Sequence, residues 1–124
     1  MKNLLKLLLI LSCIYSCSTK KEEITGKYFN NYEKDKIHFV ELKHDSTYIH
    51  YYADRDNQNS EKNIGIWKSI KKGNEMEIML RSWVDYGYKN DPPCNNCTFF
   101  VKLKDGELIF NQDLPYEMNF SKPE

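Results

Sequence analysis

Hydrophobic and polar positions follow two different regimes along this chain. Between Leu4 and Ile14 nearly every residue is leucine or isoleucine, behind a positive start at Lys2 and Lys6. A short apolar run with a basic flank predicts a signal peptide over residues 1–16. It is too short for a membrane-spanning helix, which needs roughly 20 apolar residues to cross about 30 Å. From Ile24 onward no helical stripe persists, and short segments of period-two alternation take over, punctuated by turn residues. Residues 75–81 set Met76, Ile78 and Leu80 against Glu75, Glu77 and Arg81. Residues 98–104 set Phe99, Val101 and Leu103 against Lys102 and Lys104, and Tyr116, Met118 and Phe120 alternate with Glu117 and Asn119. Each reads as a strand with one wet face.

Turn chemistry joins these segments. Asp105-Gly106 supplies the two positive-φ residues of a type I′ turn, after which Leu108 and Phe110 return the chain. Residues 36–43 and 46–53 flank His44-Asp45 as a second hairpin, and residues 63–70 run into a third turn at Lys72-Gly73-Asn74. With residues 24–29 in front, the expectation over residues 24–124 is an all-β domain, a small eight-stranded antiparallel meander closed as a lipocalin-like barrel. Eight strands enclose just enough space to be filled by side chains or to hold one small ligand. Residues 54–60 form a polar loop and residues 83–96 a longer one.

The end of the apolar run is more specific. Ile14-Tyr15-Ser16-Cys17 resembles the lipobox of bacterial lipoproteins, in which a small residue precedes a cysteine that is diacylated through sulfur and becomes the mature N-terminus. Ile10-Leu11-Ser12-Cys13 fits almost as well, but the polar stretch of residues 18–23 begins right after Cys17. The resemblance implies lipidation at Cys17, a tether over residues 17–23, and a protein held on a membrane without crossing it. Each buried methylene of the acyl chains contributes about 0.8 kcal/mol. Lys20-Lys21-Glu22-Glu23 resembles the charged segment that directs some Gram-negative lipoproteins to the outer face of the outer membrane. The implied address is the outer membrane, on its periplasmic or cell-surface face.

Composition narrows the partners. The 124 residues have room for one domain, and 18 basic side chains balance 18 acidic ones. Removal of Lys2 and Lys6 leaves 16 basic against 18 acidic, a net of −2. Nucleic acid is therefore not an expected partner, and attraction to anionic lipid is not the anchor. A mean hydropathy of −0.71 with 14% aromatics excludes a polytopic membrane protein and describes a polar surface around an aromatic core.

Ile24-Thr25-Gly26-Lys27-Tyr28, residues 42–48 about an aspartate-centred turn, and Asn63-Ile64-Gly65-Ile66-Trp67 resemble the small lipocalin-like lipoproteins. These include the N-terminal barrel of the outer-membrane copper-resistance lipoprotein family, and the resemblance covers residues 24–80. In that family a C-x-x-C lies near the start of the barrel; here Cys94-Asn95-Asn96-Cys97 lies late.

Candidate chemistry concentrates in the long loop. Trp83, Tyr86 and Tyr88, with Trp67 of the barrel, form the candidate surface for a protein partner or a small hydrophobic ligand, tyrosines offering flat amphipathic area at low entropy cost. The alternative is an extended hairpin whose tyrosines pack on the barrel wall. Cys94 and Cys97 are close enough in sequence for a disulfide in an oxidising compartment. Thioredoxin-like chemistry would need a helix N-terminus that Pro92-Pro93 does not suggest, and a metal would need two further ligands. His38, His44 and His50 are the available donors; His38 and His50 face each other across the hairpin if its loop has three residues and miss with two or four. Otherwise the three are polar side chains on strand surfaces. No catalytic set is expected: Ser46, Ser60, Ser69 and Ser82 lack a G-x-S-x-G elbow, no H-E-x-x-H, P-loop or dinucleotide fingerprint occurs, and Glu75 and Glu77 read as a solvated strand face. No cofactor or metal is expected.

Three roles are compatible with these features. A lipid-anchored, noncatalytic barrel binding a ligand or a protein is preferred. A metal- or redox-linked envelope-stress lipoprotein is the alternative, followed by a structural or assembly lipoprotein whose core is filled by Trp67, Phe99, Phe110 and Phe120.

Overall fold

The computed structural model describes residues 23–56, 58–87 and 92–124. The leader, Cys13, Cys17, the tether up to residue 22 and Tyr88 lie outside them. Eight antiparallel strands in meander order close into a barrel: β1 (Gly26–Phe29), β2 (Lys36–Leu42), β3 (Thr47–Asp54), β4 (Ser60–Lys72), β5 (Glu75–Val84), β6 (Asn95–Lys104), β7 (Glu107–Ile109) and β8 (Phe120–Ser121). Closure runs through Phe29 opposite Ser121. The all-β meander read from the alternation is what forms.

The two ends of the barrel differ. At one end the strands are joined by tight turns at residues 43–46, 73–74 and 105–106, and both described termini, Glu23 and Glu124, lie beyond strand ends on this side. Asp105 and Gly106 both have positive φ, 52° and 73°, as the type I′ turn demands. The β2–β3 turn is centred on Asp45, one residue later than His44: Lys43 N–H donates to Thr47 O, Ser46 takes a φ of 69°, and Asp45 accepts hydrogen bonds from Thr47 N–H and Oγ1–H. At the other end, all four connections are long: residues 30–35, 55–59, 85–94 and 110–119.

Alternate residues fill the interior. Tyr28, Val40, Leu42, Tyr48, Trp67, Ile78, Leu80, Val101, Leu108 and Phe120 are buried, with Phe99 and Phe110 packed against them. Buried polar tips find backbone partners: Tyr28 Oη donates to Ile24 O, Tyr48 Oη to Arg81 O at 2.8 Å, and Trp67 Nε1 to Lys43 O at 2.8 Å. Gly65 lets Tyr48 lie flat across β4; a Cβ there would come 2.2 Å from Arg81 O and 2.5 Å from the Tyr48 ring.

Two expectations need correction. The strand read from Tyr116, Met118 and Phe120 is only Phe120–Ser121, and Pro115–Met118 forms a single helical turn, α1. Pro115 sits at its first turn, where a missing N–H costs nothing and φ is preset. Asn111 Oδ1 accepts from the N–H of Asp113 and Leu114, and Asn119 Oδ1 from those of Phe110 and Asn111, so side chains take up the backbone donors a strand would have paired. Secondly, the long loop is shorter than its composition suggests, because Trp83 and Val84 continue β5 and Asn95 and Asn96 open β6. A bulge lies between Leu80 and Trp83, with Ser82 at φ 65°, and a second irregularity between Trp83 and Val84 faces Asn96, also at φ 65°. The extra residue flips the alternation of β5, so Trp83 points inward with Leu80 instead of outward with Arg81.

Candidate functional site

The long-loop end of the barrel is closed from inside by two histidines. His38 on β2 and His50 on β3 are diagonal neighbours, because the ladder pairs His38 with Tyr52 and Val40 with His50. The turn centre that moved from His44 to Asp45 shifts the register by two residues, so the histidines keep one face and miss direct opposition. Both are buried, 8% and 1% exposed, in contrast to the strand-surface positions expected of them. Their ring planes lie within 24° of each other with centroids 5.1 Å apart, and the two Nε2 atoms meet edge to edge at 2.8 Å.

Hydrogen-bond logic fixes the protons. His50 Nδ1 is 3.0 Å from Val84 O, and a carbonyl only accepts, so His50 carries its hydrogen on Nδ1. Its Nε2 is then a lone pair, and His38 Nε2–H must be the donor of the shared bond. Burial holds both rings neutral: it pulls His38 down to about 4, and it pulls His50 well below the ordinary value, with the neighbouring His38 acting the same way. Asn63, opposite His50 across the β3–β4 ladder, donates from Nδ2 to Ser82 O, while its Oδ1 is buried without a hydrogen-bond partner.

Aromatic side chains wall the pair. Trp83 stacks on His50 at 4.0 Å and 13°, Phe120 meets His38 edge-on at 4.8 Å, and Tyr52 meets His38 edge-on at 5.0 Å. Tyr86, in the β5–β6 connection, lies 4.7 Å from His50 and covers the mouth. The connection is clamped there by named contacts. Asp85 accepts from Trp83 Nε1 at 2.9 Å and from Cys94 N–H at 2.7 Å, and donates its own N–H to Cys94 O. Gly87, at φ 69°, passes so close to the rim that a Cβ would come 2.7 Å from Glu33 Oε1 and 3.0 Å from Tyr52. Glu33 in turn accepts from Tyr52 Oη at 2.8 Å. Beside it, Lys36 and Asp54 form an ion pair across β2 and β3.

Among the described residues the hollow at the pair holds about 20 Å³, between His38, His50, Trp83, Tyr86, Met118 and Phe120, with Asp85 and Glu117 also on its border. That is room for one water-sized group. Larger hollows lie outside. One of about 630 Å³ runs between the β6–β7 hairpin and α1, and one of about 910 Å³ between β1, β8 and α1, bordered by Phe29, Tyr32, Tyr116 and Lys122.

The sequence-derived site residues are therefore divided. Trp83 and Tyr86 meet at the histidine pair, and Tyr88 lies outside the described residues. Trp67 is a core residue bonded to the tight-turn end. Cys94 and Cys97 stand at the base of the β5–β6 connection at disulfide distance, with Cα atoms 5.9 Å apart. His44 is at the opposite end of the barrel, near Thr25 Oγ1 at 3.4 Å, so the three histidines do not gather. Among the described residues, no group of three or more His, Cys, Asp or Glu is placed to hold a metal. Direct opposition of His38 and His50 was expected only for a three-residue loop; the connection has four residues, 43–46, and the two meet diagonally instead, a contact that parity alone does not reveal. Comparison with family models, curated proteins and solved structures gives no match to this chain.

Proposed function

We propose that this protein is a lipid-anchored barrel of the bacterial cell envelope that works by binding another protein and carries no organic cargo. The filled interior carries the reading. A lumen with about 20 Å³ of free space cannot take a hydrophobic ligand. Pockets for such ligands run to several hundred Å³, so recognition falls to the outside. Large apolar side chains are exposed there: Ile64 and Ile66 on β4, Phe100 on β6, and, at the long-loop end, Tyr32 and the 81%-exposed Tyr116 on α1. Tyr32 and Tyr116 border the groove of about 910 Å³. They give the long-loop end an aromatic rim of the kind enriched in protein interfaces.

Attachment rests on the lipobox-like Cys17, and the same reading places the protein on the outer membrane. Two measurements test the proposal. Native mass spectrometry of the full chain extracted from membranes should give a protein free of organic adduct; a stoichiometric hydrophobic ligand would overturn the reading. Cys17→Ala should move the protein from the membrane to the soluble fraction, and retention with cleavage before Cys13 would assign the anchor to that cysteine instead.

A further inference from the structure

We infer that the buried His38–His50 pair, with Met118, is a binding site for a soft monovalent metal ion of the Cu(I) or Ag(I) type. The site is distinct from the outer surfaces invoked above, and stands independently of them. Two imidazole nitrogens already converge at 2.8 Å within a closed aromatic chamber, and the proton between them marks where an ion would sit. His50 is held as metal-binding histidines are held, its far nitrogen anchored to a backbone carbonyl so that the Nε2 lone pair is aimed.

The exchange is balanced without proton release. His38 shifts its single hydrogen from Nε2 to Nδ1, which has a free lone pair, and the two Nε2 lone pairs bind the ion. At metal–nitrogen distances near 2.0 Å the two nitrogens part to roughly 3.5 Å in a trigonal site or about 4.0 Å in a linear one, so the rings separate by about 1 Å. Met118, on α1, borders the same chamber, and its sulfur accepts a weak 3.6 Å bond from Asn111 Nδ2. It would supply a thioether as third ligand.

Donor type and burial select the ion. Imidazole with thioether is a soft set that favours Cu(I). Zn(II) wants four ligands; of the two carboxylates that border the hollow, Asp85 is committed to Trp83 and Cys94, which leaves Glu117 as the one further oxygen donor, so the comparison of Zn(II) with Ag(I) decides between the ions. A double charge among these aromatic side chains would also cost about four times the desolvation of a single one.

The test uses the full chain carrying Cys13→Ser and Cys17→Ser, which removes the two thiols of the leader region, in detergent and with the Cys94–Cys97 bond intact. Ag(I), a redox-inert probe, should bind at one equivalent, quench the fluorescence of Trp83 stacked on His50, and convert His38 from the Nε2–H to the Nδ1–H form in histidine nitrogen NMR. His38→Gln should abolish binding, and Met118→Leu, on an α1 turn without buried residues, should weaken it roughly tenfold while leaving the circular dichroism unchanged. No Ag(I) binding by the parent chain, binding unaffected in both variants, or Zn(II) bound as tightly as Ag(I), overturns the assignment. Should His38→Gln fail to fold, the tautomer change in the parent protein and the Met118→Leu titration still decide.

Discussion

His38 and His50 show how a single shared proton ties stability to pH. In the metal-free protein both rings are neutral, and the groups facing them, Tyr52 on β3, Asp85 and Tyr86 in the β5–β6 connection and Glu117 on α1, leave the pair in largely aromatic surroundings. A first proton, added at His38 Nδ1, leaves the Nε2 bond intact but places a charge in the chamber; a second, at His50 Nε2, removes the acceptor and breaks the bond. His38 is lowered from 6.5 to about 4 by burial, whereas in the unfolded chain it regains its ordinary value. The unfolded state therefore binds more protons below about pH 6.5, and the contribution is complete above that value and lost as pH falls to about 4. At about 1.4 kcal/mol per unit, His38 alone removes about 3 kcal/mol over that window. His50 adds in the same direction. Denaturant titrations at pH 7 and pH 4 should show the loss, and His38→Gln should flatten the dependence. A wild-type midpoint constant across this range would mean that the pair is solvated.

On the scale of strands, Gly65 provides the clearest test of how the barrel is packed. Its Cα hydrogens face the interior, where the Tyr48 ring and Arg81 O occupy the space a side chain would need. A backbone oxygen cannot move aside as a side-chain tip can, so Gly65→Ala must part β4 from β5 or swing Tyr48 off its bond to Arg81 O. The expected cost is about 2–3 kcal/mol, a fall of roughly 10 °C or more in melting temperature for a domain of this size. Lys68→Ala, on the exposed face of the same strand, should stay within about 0.5 kcal/mol. Equal melting temperatures for the two variants would show that the Tyr48–Gly65 approach is looser than described. These elements also separate what alternation reveals from what it hides. Residues 75–80 and 99–103 were legible because charged side chains mark the wet face. The Asp105-Gly106 turn was legible because its geometry demands those residue types. Trp83 was not legible as a core residue, since one bulge residue, Ser82, inverts the parity and no residue type signals it. The α1 turn defeated the pattern because three apolar residues at period two cannot outweigh Pro115 and the side-chain caps from Asn111 and Asn119. That His38 and His50 point inward was hidden by Ile37, Phe39, Ile49 and Tyr51 on the outer face, where Phe39 stacks on Tyr51, meets Phe29 at a tilt and lies under Lys27.

For the molecule as a whole, the difference between its two ends decides how it meets its surroundings. The described chain enters at the tight-turn end, where Glu23 O accepts from Lys122 Nζ and Gly26 pairs with Leu42. The histidine chamber, Tyr86, α1 and the aromatic rim all lie at the opposite end. If Cys17 is the anchor, residues 17–23 span at most about 25 Å even when fully extended. The turns at residues 43–46, 73–74 and 105–106 then stay nearest the bilayer and the long connections face away. That geometry suits a protein-binding role, because the exposed tyrosines of the rim point to the solvent side where a partner arrives, and the membrane-proximal turns are short and polar. On vesicles carrying a paramagnetic headgroup label, amide signals of His44, Gly73 and Gly106 should broaden several-fold more than those of Gly87 and Tyr116. Stronger broadening at Gly87 and Tyr116 would turn the molecule over, set the aromatic rim against lipid, and leave the outer wall around Ile64, Ile66 and Phe100 as the face for a protein partner.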